Sequence, residues 1–334
     1  MTSKLSPEQL QRYFEKDVRP YLENSRDAQD AGASRPCFVS VGGQPGSGKS
    51  GAIRQARREN PGSVIVNGDE LRQFHPDYPR LMATDPLSMP EATAQAAGSW
   101  VGMSNQWLRD NRVSAVVETT LRQPAVLLRE FEAFKQAGYG TELRVVAVPP
   151  EVSRLGTLTR YVEQVRDTGA GRAVTAEGHD IPTAEVPGTV ETLVASGLVD
   201  RVVVQDRDGR VFLDAEVSRG GPELAAKVRD VVDQARDVTS MTSGQAQVWC
   251  RAAELTIEAL QCVPVDQGLL QVSARVAGAD AMAIAARAWP DEPARQQRQV
   301  DELQCRHWAA VRTVTLNQQG FQFQRENPDH GIER

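Results

Sequence analysis

One short loop of this sequence carries the residue types from which a polyphosphate site is built. The run Gly43-Gln-Pro-Gly-Ser-Gly-Lys-Ser50 fits the pattern G-x-x-x-x-G-K-[ST], whose glycines let successive backbone N–H groups curl around phosphate oxygens. The lysine of such a loop reaches the β- and γ-phosphates, and the hydroxyl after it binds Mg²⁺. The sequence therefore predicts a site for ATP and Mg²⁺ made by Gly43, Gln44, Pro45, Gly46, Ser47, Gly48, Lys49 and Ser50, with Ser50 as the metal ligand.

The segments on either side of this loop have the character that a phosphate site needs. The apolar run Cys37–Val41 is suited to a buried strand, and Ala52–Arg58 continues as a helix. The N-terminus of that helix would face the phosphates, where its dipole favours negative charge. The alternative is a glycine-rich turn that happens to end in Lys-Ser. The order strand, loop, helix favours the phosphate site over that alternative.

A carboxylate follows the next predicted strand, in the sequence Val66-Asn-Gly-Asp69. Asp69 could accept a hydroxyl proton or help to hold Mg²⁺ beside the phosphate loop. Its alternative role is the N-cap of a helix that begins at Glu70, a position that aspartate prefers. The sequence has no N-K-x-D motif of GTPases, and none of its predicted strands ends in the Asp-Glu pair of most motor ATPases.

Length, charge and cysteine content limit the classes of protein further. The 334 residues can form one large domain or two smaller ones. A net charge of −6 argues against a nucleic-acid or anionic-membrane surface. The four scattered cysteines indicate buried thiols and not a disulfide framework. The beginning of the chain lacks the apolar core of a signal peptide, and we therefore expect a cytoplasmic protein with no membrane or nucleic-acid partner.

The predicted elements alternate between strands and helices as far as about residue 236 and are helical beyond it. We expect an α/β fold, with a mostly parallel sheet flanked by helices as in P-loop kinases, and an added helical C-terminal region. The predicted units are an N-terminal helix and lead-in (1–35), a kinase-type domain (36–236) and a C-terminal extension (237–334), frayed from Gln324. The specific elements are a helix over Pro7–Leu22, a polar stretch over Glu23–Arg35, strands over Ser63–Val66, Val113–Val117, Leu143–Val148 and Arg201–Gln205, and helices over Gln245–Thr313 with breaks at Pro264 and Pro290.

Several blocks of this sequence, taken in order, resemble the zeta toxin family, bacterial toxin kinases also called UDP-N-acetylglucosamine kinases. The resemblance covers roughly Phe38 to Asp214, and the residues beyond about Asp237 lie outside it. Its blocks are the phosphate loop, Asp69 with Arg72-Gln-Phe-His75-Pro76, Val116-Val-Glu118-Thr-Thr120-Leu-Arg122, Ala137-Gly-Tyr139 with Val146-Ala-Val-Pro149, Leu155-Gly-Thr-Leu-Thr-Arg160-Tyr161, and Arg172 with His179-Asp180.

The resemblance implies transfer of the γ-phosphoryl group of ATP to the 3′-hydroxyl of the N-acetylglucosamine moiety of UDP-N-acetylglucosamine, which interferes with cell-wall synthesis. By the matched motifs, Lys49 binds ATP and is catalytic, Asp69 is the base, and Arg160 and Arg172 stabilise the transferred group. Phosphoryl transfer makes the same demand for positioned cations. The alternative for both arginines is a solvated surface position. Arg172 follows the glycine-bearing segment Asp167–Gly171, which could close over the nucleotide as a lid.

The same resemblance assigns Glu118, Thr120 and Arg122 to the acceptor sugar nucleotide. The sequence departs from the family at Thr119 and Leu121, where glycines are common, and at Gly102, where an acidic residue on the preceding helix holds the sugar. A missing hydrogen-bond partner weakens discrimination of the acceptor. A kinase of another sugar nucleotide, nucleotide or small metabolite is therefore the alternative. A nucleotide-dependent binding module is a third reading.

The resemblance also implies a protein partner, because family members are restrained by an antitoxin that covers the nucleotide site. Here the antitoxin would be a separate protein, or the C-terminal region would restrain the kinase in cis. The alternative is that this region only packs as an added layer. We expect His75 and His179 to be structural, and the five tryptophans to be packing residues: Trp100, Trp107, Trp249, Trp289 and Trp308.

Overall fold

The computed structural model describes residues 4–25, 35–86, 88–217 and 221–326, with side chains as far as Thr315. Most of the predicted polar stretch Glu23–Arg35 lies outside the described residues, and so do the last eight residues of the predicted frayed end.

A six-stranded sheet forms the centre of the molecule. Its strand order is β2-β3-β1-β4-β5-β6, and every neighbouring pair is parallel except β5 with β6. The prediction of a mostly parallel sheet is confirmed. The sequence did not predict β6, which lies at the sheet edge and buries little of its side chains. The strands are β1 Cys37–Gly42, β2 Val64–Val66, β3 Ala115–Thr119, β4 Gly140–Val146, β5 Arg201–Gln205 and β6 Val211–Glu216.

Helices connect and cover these strands. The predicted N-terminal helix is present as α1 and α2 with a π-helical turn over Phe14–Val18 between them, and Ser6 caps its start. The predicted C-terminal helices are present too, with breaks close to both prolines. The helices are α1 Pro7–Tyr13, α2 Arg19–Asn24, α3 Lys49–Glu59, α4 Gly68–Leu71, α5 Tyr78–Thr84, α6 Met89–Ala92, α7 Ala94–Asp110, α8 Pro124–Gln136, α9 Pro150–Thr168, α10 Ala176–Ala195, α11 Gly221–Ala235, α12 Ser243–Ala259, α13 Gln267–Arg275, α14 Ala281–Ala288 and α15 Pro293–Glu326.

Two apolar cores cover the two faces of the sheet. On one face, α3 packs Ala52, Ile53 and Ala56 against Val39 and Val116. On the other face, a larger core unites the sheet with the N-terminal helices and with α7, α8, α10 and α11. Because both faces are buried, the central strands are continuous apolar runs, as is usual for parallel sheets. This is why the sequence revealed them.

A third core joins the C-terminal helices to α9. It contains Leu155, Leu158 and Tyr161 of α9 together with Trp249 and Ile257 of α12, and it extends through α13, α14 and α15. The stretch Gln267–Ala288 is long and apolar enough to cross a membrane by composition. Its apolar residues, however, belong largely to this core. Helix α9 therefore joins the C-terminal region to the rest of the fold, because its Ser153 also accepts a hydrogen bond from Gln44, which follows β1.

The tryptophans divide unequally between these cores and the surface. Trp100, Trp249 and Trp289 are buried, and Trp107 packs partly buried against the larger core. The prediction that tryptophans are packing residues is confirmed for these four. It is wrong for Trp308, whose residue surface is 58% exposed, because one face of α15 is left uncovered there.

Removing all residues beyond Asp237 is expected to yield an insoluble or unfolded chain. The deletion would uncover the apolar face of α9, including Leu155, Leu158 and Tyr161, and large exposed apolar patches cause aggregation. The soluble fraction and the thermal melting of the purified fragment measure this. A soluble fragment that melts cooperatively would mean that the C-terminal region is dispensable for the fold.

Acidification is expected to destabilise the protein from about pH 6.5 downwards. Burial lowers the pKa of His75, His179 and His307 below the ordinary value of 6.5. As the pH falls through 6.5, these histidines therefore bind protons in the unfolded chain but not in the folded chain. Stability falls until the pH reaches the lowered pKa values of the folded state. Burial of Asp280 acts in the opposite sense, because it raises the pKa of that carboxyl to about 6.

The contribution of one histidine can be isolated with His307→Gln. His307 lies within hydrogen-bond distance of Ser273, with Nδ1 3.0 Å from Oγ, and glutamine does not titrate. The fall in melting temperature between pH 7.5 and pH 5.5 should be smaller in the variant than in the wild type. Equal falls would show that His307 is not protonated on unfolding in this range.

Candidate active site

The carboxyl ends of the parallel strands meet at one edge of the sheet, where open α/β sheets bind ligands. There β1 runs into the phosphate loop, β2 is followed by Asn67, and β3 ends at Thr119. The register pairs Val41 of β1 with Glu118 of β3. The fold therefore brings the phosphate loop and Glu118, which lie far apart in the sequence, side by side.

The phosphate loop, residues 43–48, is held against its neighbours by two glycines in the left-handed region. Gly46 has φ of +78°, and a Cβ atom there would lie 2.0 Å from the carbonyl oxygen of Ser153 in α9. Gly48 has φ of +89°, and a Cβ atom there would lie 2.9 Å from Cβ of Arg207. Only glycine meets both the conformational and the steric demand. The loop is thus packed between α9 and the loop that follows β5, and α3 begins directly after it at Lys49.

A buried polar chain supports the loop from α9. Gln44 donates from Nε2 to the carbonyl of Val148 at 2.8 Å and to Oγ of Ser153 at 3.3 Å. Oγ of Ser153 lies 2.8 Å from Nε2 of His179, whose Nδ1 lies 2.9 Å from Oδ1 of Asp180. Burial lowers the pKa of His179, so the ring is neutral with its proton on Nδ1, facing the carboxylate. Ser153 and His179 are fully buried, and the arrangement therefore positions the loop and has no access to a substrate.

Lys49 points into the loop and is nearly buried. Its Nζ donates to the carbonyl oxygens of Gly43 at 3.0 Å and Gln44 at 3.2 Å, and lies 3.5 Å from Oε1 of Glu118. Burial lowers the pKa of Lys49, and the charge of Glu118 acts against that shift. Glu118 thus favours the charged form of this buried ammonium, which is the state that phosphate binding needs.

Two arginines, Arg160 in α9 and Arg172 just after that helix, lie close enough to Lys49 to interact with its charge. Arg160 of α9 has its Nε and Nη2 atoms buried with no hydrogen-bond partner among the described residues, and burial lowers its pKa. Burial also lowers the pKa of Arg172, to about 10, so both guanidinium groups stay charged at neutral pH. Arg172 forms an ion pair with Asp69. Neither arginine is a solvated surface residue. Unpaired buried donors as on Arg160 are costly unless a ligand satisfies them.

Asp69 is not the N-cap of its helix. The cap of α4 is Asn67, whose side-chain oxygen accepts the backbone N–H of Asp69 at 2.9 Å. The Asp69 carboxylate instead pairs with Arg172 and accepts from Nε of Arg72 at 3.2 Å. The capping alternative is wrong because the helix begins at Gly68, two residues earlier than the sequence indicated. The carboxylate is therefore held by two arginines and not by the helix end.

A cavity of about 830 Å³ opens at the phosphate loop. Of the site residues predicted from the sequence, those that line it are Gly46, Gly48, Lys49, Ser50, Glu118 and Arg160. Asp69 and Arg172 lie outside the lining as an ion pair. Thr120 and Arg122 are exposed and do not line the cavity, so the structure does not bring them together with Lys49.

The sequence missed two walls of this cavity. One is the loop after β5, with Asp206, Arg207, Asp208 and Arg210, and the other is the segment from Ser240 to Ala252. The loop after β5 could have been found from the sequence, since any loop at the carboxyl end of a predicted parallel strand is a candidate for ligand binding. The second lies in the region that no motif covered.

The donor set at the loop fits a magnesium ion held mainly by phosphates. Ser50 is exposed and lines the cavity, so its hydroxyl is accessible as a single protein ligand. The described part of the chain contains no group of three or more His, Cys, Asp or Glu side chains that could hold a metal alone. Mg²⁺ is commonly bound by one or two protein ligands, substrate phosphates and water.

Two departures from the family pattern have a visible structural setting. Leu121 has φ of +54°, a conformation that favours glycine, and its buried side chain fills the space where a Cβ of Gly42 would lie. At Gly102, a Cβ atom would meet nothing within 4 Å. Packing therefore does not require glycine at position 102.

Comparisons with known proteins agree with this architecture. The zeta toxin family model matches residues 22–218. The toxin PezT of Streptococcus pneumoniae is 28% identical over 213 residues, which are 62% of this chain and 84% of PezT. The zeta toxin of Streptococcus pyogenes is 30% identical over 200 residues, which are 59% of this chain and 69% of that toxin.

Solved structures show the same fold. A chain of the PezAT toxin–antitoxin system of Streptococcus pneumoniae superposes with a TM-score of 0.61 at 23% identity, covering 77% of this chain and 97% of that chain. A chain of the AvrRxo1-ORF1:-ORF2 complex with ATP superposes with a TM-score of 0.50 at 13% identity, covering 86% and 96%. Since the family model spans more than half of the sequence, this chain belongs to the zeta toxin family.

Proposed function

We propose that this protein is a toxin kinase that transfers the γ-phosphoryl group of Mg-ATP to the 3′-hydroxyl of the N-acetylglucosamine moiety of UDP-N-acetylglucosamine. The observation that carries the proposal is the pairing, in one cavity, of a buried ammonium and an unsatisfied buried guanidinium. Lys49 and Arg160 both face that cavity beside Glu118. Two fixed cations at a phosphate loop are what charge stabilisation of a transferred phosphoryl group requires.

The proposed reaction assigns a role to each predicted residue. The sugar hydroxyl oxygen forms a bond to the γ-phosphorus as the bond from that phosphorus to the β–γ bridging oxygen breaks, and ADP leaves. Asp69 takes the hydroxyl proton, while Lys49 and the loop amides hold the phosphates. Arg160 and Arg172 stabilise the charge on the transferred group. Mg²⁺, bound by Ser50 and the phosphates, neutralises phosphate charge when present.

The pairing of Asp69 with Arg172 and Arg72 is consistent with this assignment. The two arginines orient the carboxylate, and phosphoryl transfer depends mainly on positioning and charge stabilisation. The relatives named as toxins support a toxic activity, and the related fold crystallised with ATP supports that donor.

The proposed acceptor contacts lie partly outside the cavity. Glu118, Thr120 and Arg122 are the proposed acceptor contacts, but Thr120 and Arg122 are exposed outside the cavity. Gly102 favours a second candidate function, a kinase of a different sugar nucleotide, nucleotide or small metabolite, because the family's acidic sugar-binding residue is replaced.

Incubation of the purified protein with Mg-ATP and a panel of sugar nucleotides tests the proposal. Mass spectrometry should detect the addition of one phosphate to UDP-N-acetylglucosamine. The Gly102→Glu variant places an acidic residue at this position, where a Cβ atom would meet nothing within 4 Å. Phosphorylation of a different acceptor would support the second function. Modification of no acceptor, with ATP still bound, would favour a nucleotide-dependent binding module.

We further propose that a separate antitoxin restrains this kinase in the cytoplasm, because the related PezAT chain comes from a toxin–antitoxin system. The C-terminal region of this chain lines the cavity as a wall and leaves about 830 Å³ beside the phosphate loop. That arrangement favours packing over restraint in cis. Neither a membrane nor a nucleic acid is part of the proposed reaction. We retain residues 36–236 as the proposed kinase-type region and 237–334 as its C-terminal extension.

A further inference from the structure

The C-terminal region contributes one side of the cavity at the phosphate loop. Opposite Lys49 and Ser50, the lining residues from this region come from the segment before α12 and from the first half of that helix. This segment lies beyond residue 218, where the match to the zeta toxin family ends. Its lining residues are Ser240, Met241, Thr242, Gly244, Gln245, Val248, Trp249 and Ala252.

This wall is fixed in place by several independent contacts. Thr242 and Gln245 form a capping box at the start of α12, which defines where the helix begins. Trp249 donates from Nε1 to the carbonyl of Glu151 in α9 at 3.1 Å, and it is buried in the core shared with α9. The wall therefore keeps its position relative to the phosphate loop, which packs on the same helix.

Val248 presents an apolar side chain from this wall. It lines the cavity and is 70% exposed, whereas Trp249 and Ile257 of the same helix are buried. The loop after β5 and strand β6 supply other lining residues, where the guanidinium of Arg210 lies over the ring of Phe212 at 5.0 Å. Apolar, aromatic and guanidinium groups around one space suit a planar heteroaromatic ring.

We propose that the nucleoside part of the donor lies against Val248, so that the C-terminal region forms the base-binding wall of the kinase for a purine nucleoside triphosphate. The inference rests on the proposed function. With the triphosphate fixed at Lys49 and the start of α3, the rest of the nucleotide must extend along the cavity. The walls that remain are α9, the loop after β5 and the segment with Val248.

Calorimetric titration of two variants with two ligands tests this inference. Val248→Glu places a charge on the wall, whereas Leu255→Glu makes the same kind of change two turns further along α12, at a residue 54% exposed that does not line the cavity. The ligands are Mg-ATP and magnesium tripolyphosphate, which lacks a nucleoside. Repulsion between the new carboxylate and phosphates affects both ligands, so only the difference between them reports the nucleoside.

We expect Val248→Glu to raise the Kd for Mg-ATP at least tenfold relative to the wild type, and the Kd for tripolyphosphate less than threefold. Leu255→Glu should match the wild type with both ligands. In turnover, Val248→Glu should raise KM for ATP and leave kcat within twofold. The uncharged variant Val248→Gln should raise the Kd for Mg-ATP in the same direction by a smaller factor.

Three outcomes would overturn the inference. Equal binding of Mg-ATP by Val248→Glu and the wild type would remove Val248 from the nucleotide site, while leaving the proposed kinase function intact. Equal losses for Mg-ATP and tripolyphosphate would show that the wall repels phosphate charge without contacting the nucleoside. Failure of the wild type to bind Mg-ATP would overturn the proposed function itself, and this inference with it.

Discussion

The Lys49→Ala variant is expected to transfer no detectable phosphate to any acceptor and to lose its toxicity. Lys49 is the only lysine of the phosphate loop, and its Nζ lies among the loop carbonyls and Glu118 with little exposure. Without it, the transferring phosphates lose a fixed charge at the point where charge is redistributed. Phosphate transfer from radiolabelled ATP and growth of cells that express the variant measure the two effects.

Lys135→Ala is the matched control for this variant. Lys135 is paired with Asp200 at 2.7 Å, far along the sequence from the loop and outside the cavity. This variant tests whether the loss of any partly buried lysine impairs the protein. We expect it to transfer phosphate as fast as the wild type. If Lys49→Ala were as active as the wild type, the phosphate loop would not be the site of transfer and the kinase proposal would fail.

The Asp69→Asn variant is expected to bind ATP within a few-fold of the wild type and to lose roughly 10²-fold or more in turnover, as when a general base is lost. Asparagine keeps the shape of the side chain but cannot accept the hydroxyl proton. The binding constant from titration and the single-turnover rate must be measured together. Asp77→Asn is the control, because Asp77 pairs with Arg80 nearby and has no proposed role.

A parallel loss of binding and turnover in Asp69→Asn would point to a different role. Helix capping is not among the remaining possibilities, because Asn67 caps α4. The loss would instead mean that Asp69 holds Mg²⁺, or that its ion pair with Arg172 is needed to order the nucleotide site. Arg172→Lys separates these two, since it weakens the pair and leaves the carboxylate in place.

The central strands could be predicted from the sequence because both faces of the sheet are covered. Burial on both faces demands unbroken apolar runs such as Val202–Val204, and these stand out in any window. The edge strand β6 could not be found in this way. Its side chains alternate between partly buried and exposed, so the run Val211–Leu213 is too short to differ from a loop.

Site residues within one contiguous motif could be predicted, whereas those that packing brings together from distant parts of the sequence could not. The phosphate loop is a contiguous motif, and its geometry follows from its glycines. Arg160 could be matched to a family motif, but its burial without a hydrogen-bond partner among the described residues could not be predicted. That state depends on the packing of α9 against the loop. Val248 could not be identified at all. It is an ordinary aliphatic residue, and it reaches the cavity only because α12 packs across α9.

The packing of α9 against the C-terminal helices has a genetic consequence. If the protein is toxic to cells that express it without a partner, selection for survivors will collect inactivating mutations. Many of these should fall among the buried residues of the C-terminal helices, such as Ile257 and Ile284, and not only around Lys49. Sequencing of the survivors should then find inactivating mutations as often in the last third of the gene as in the first third. If the inactivating mutations were confined to the region before residue 237, α9 would keep its position without the C-terminal helices.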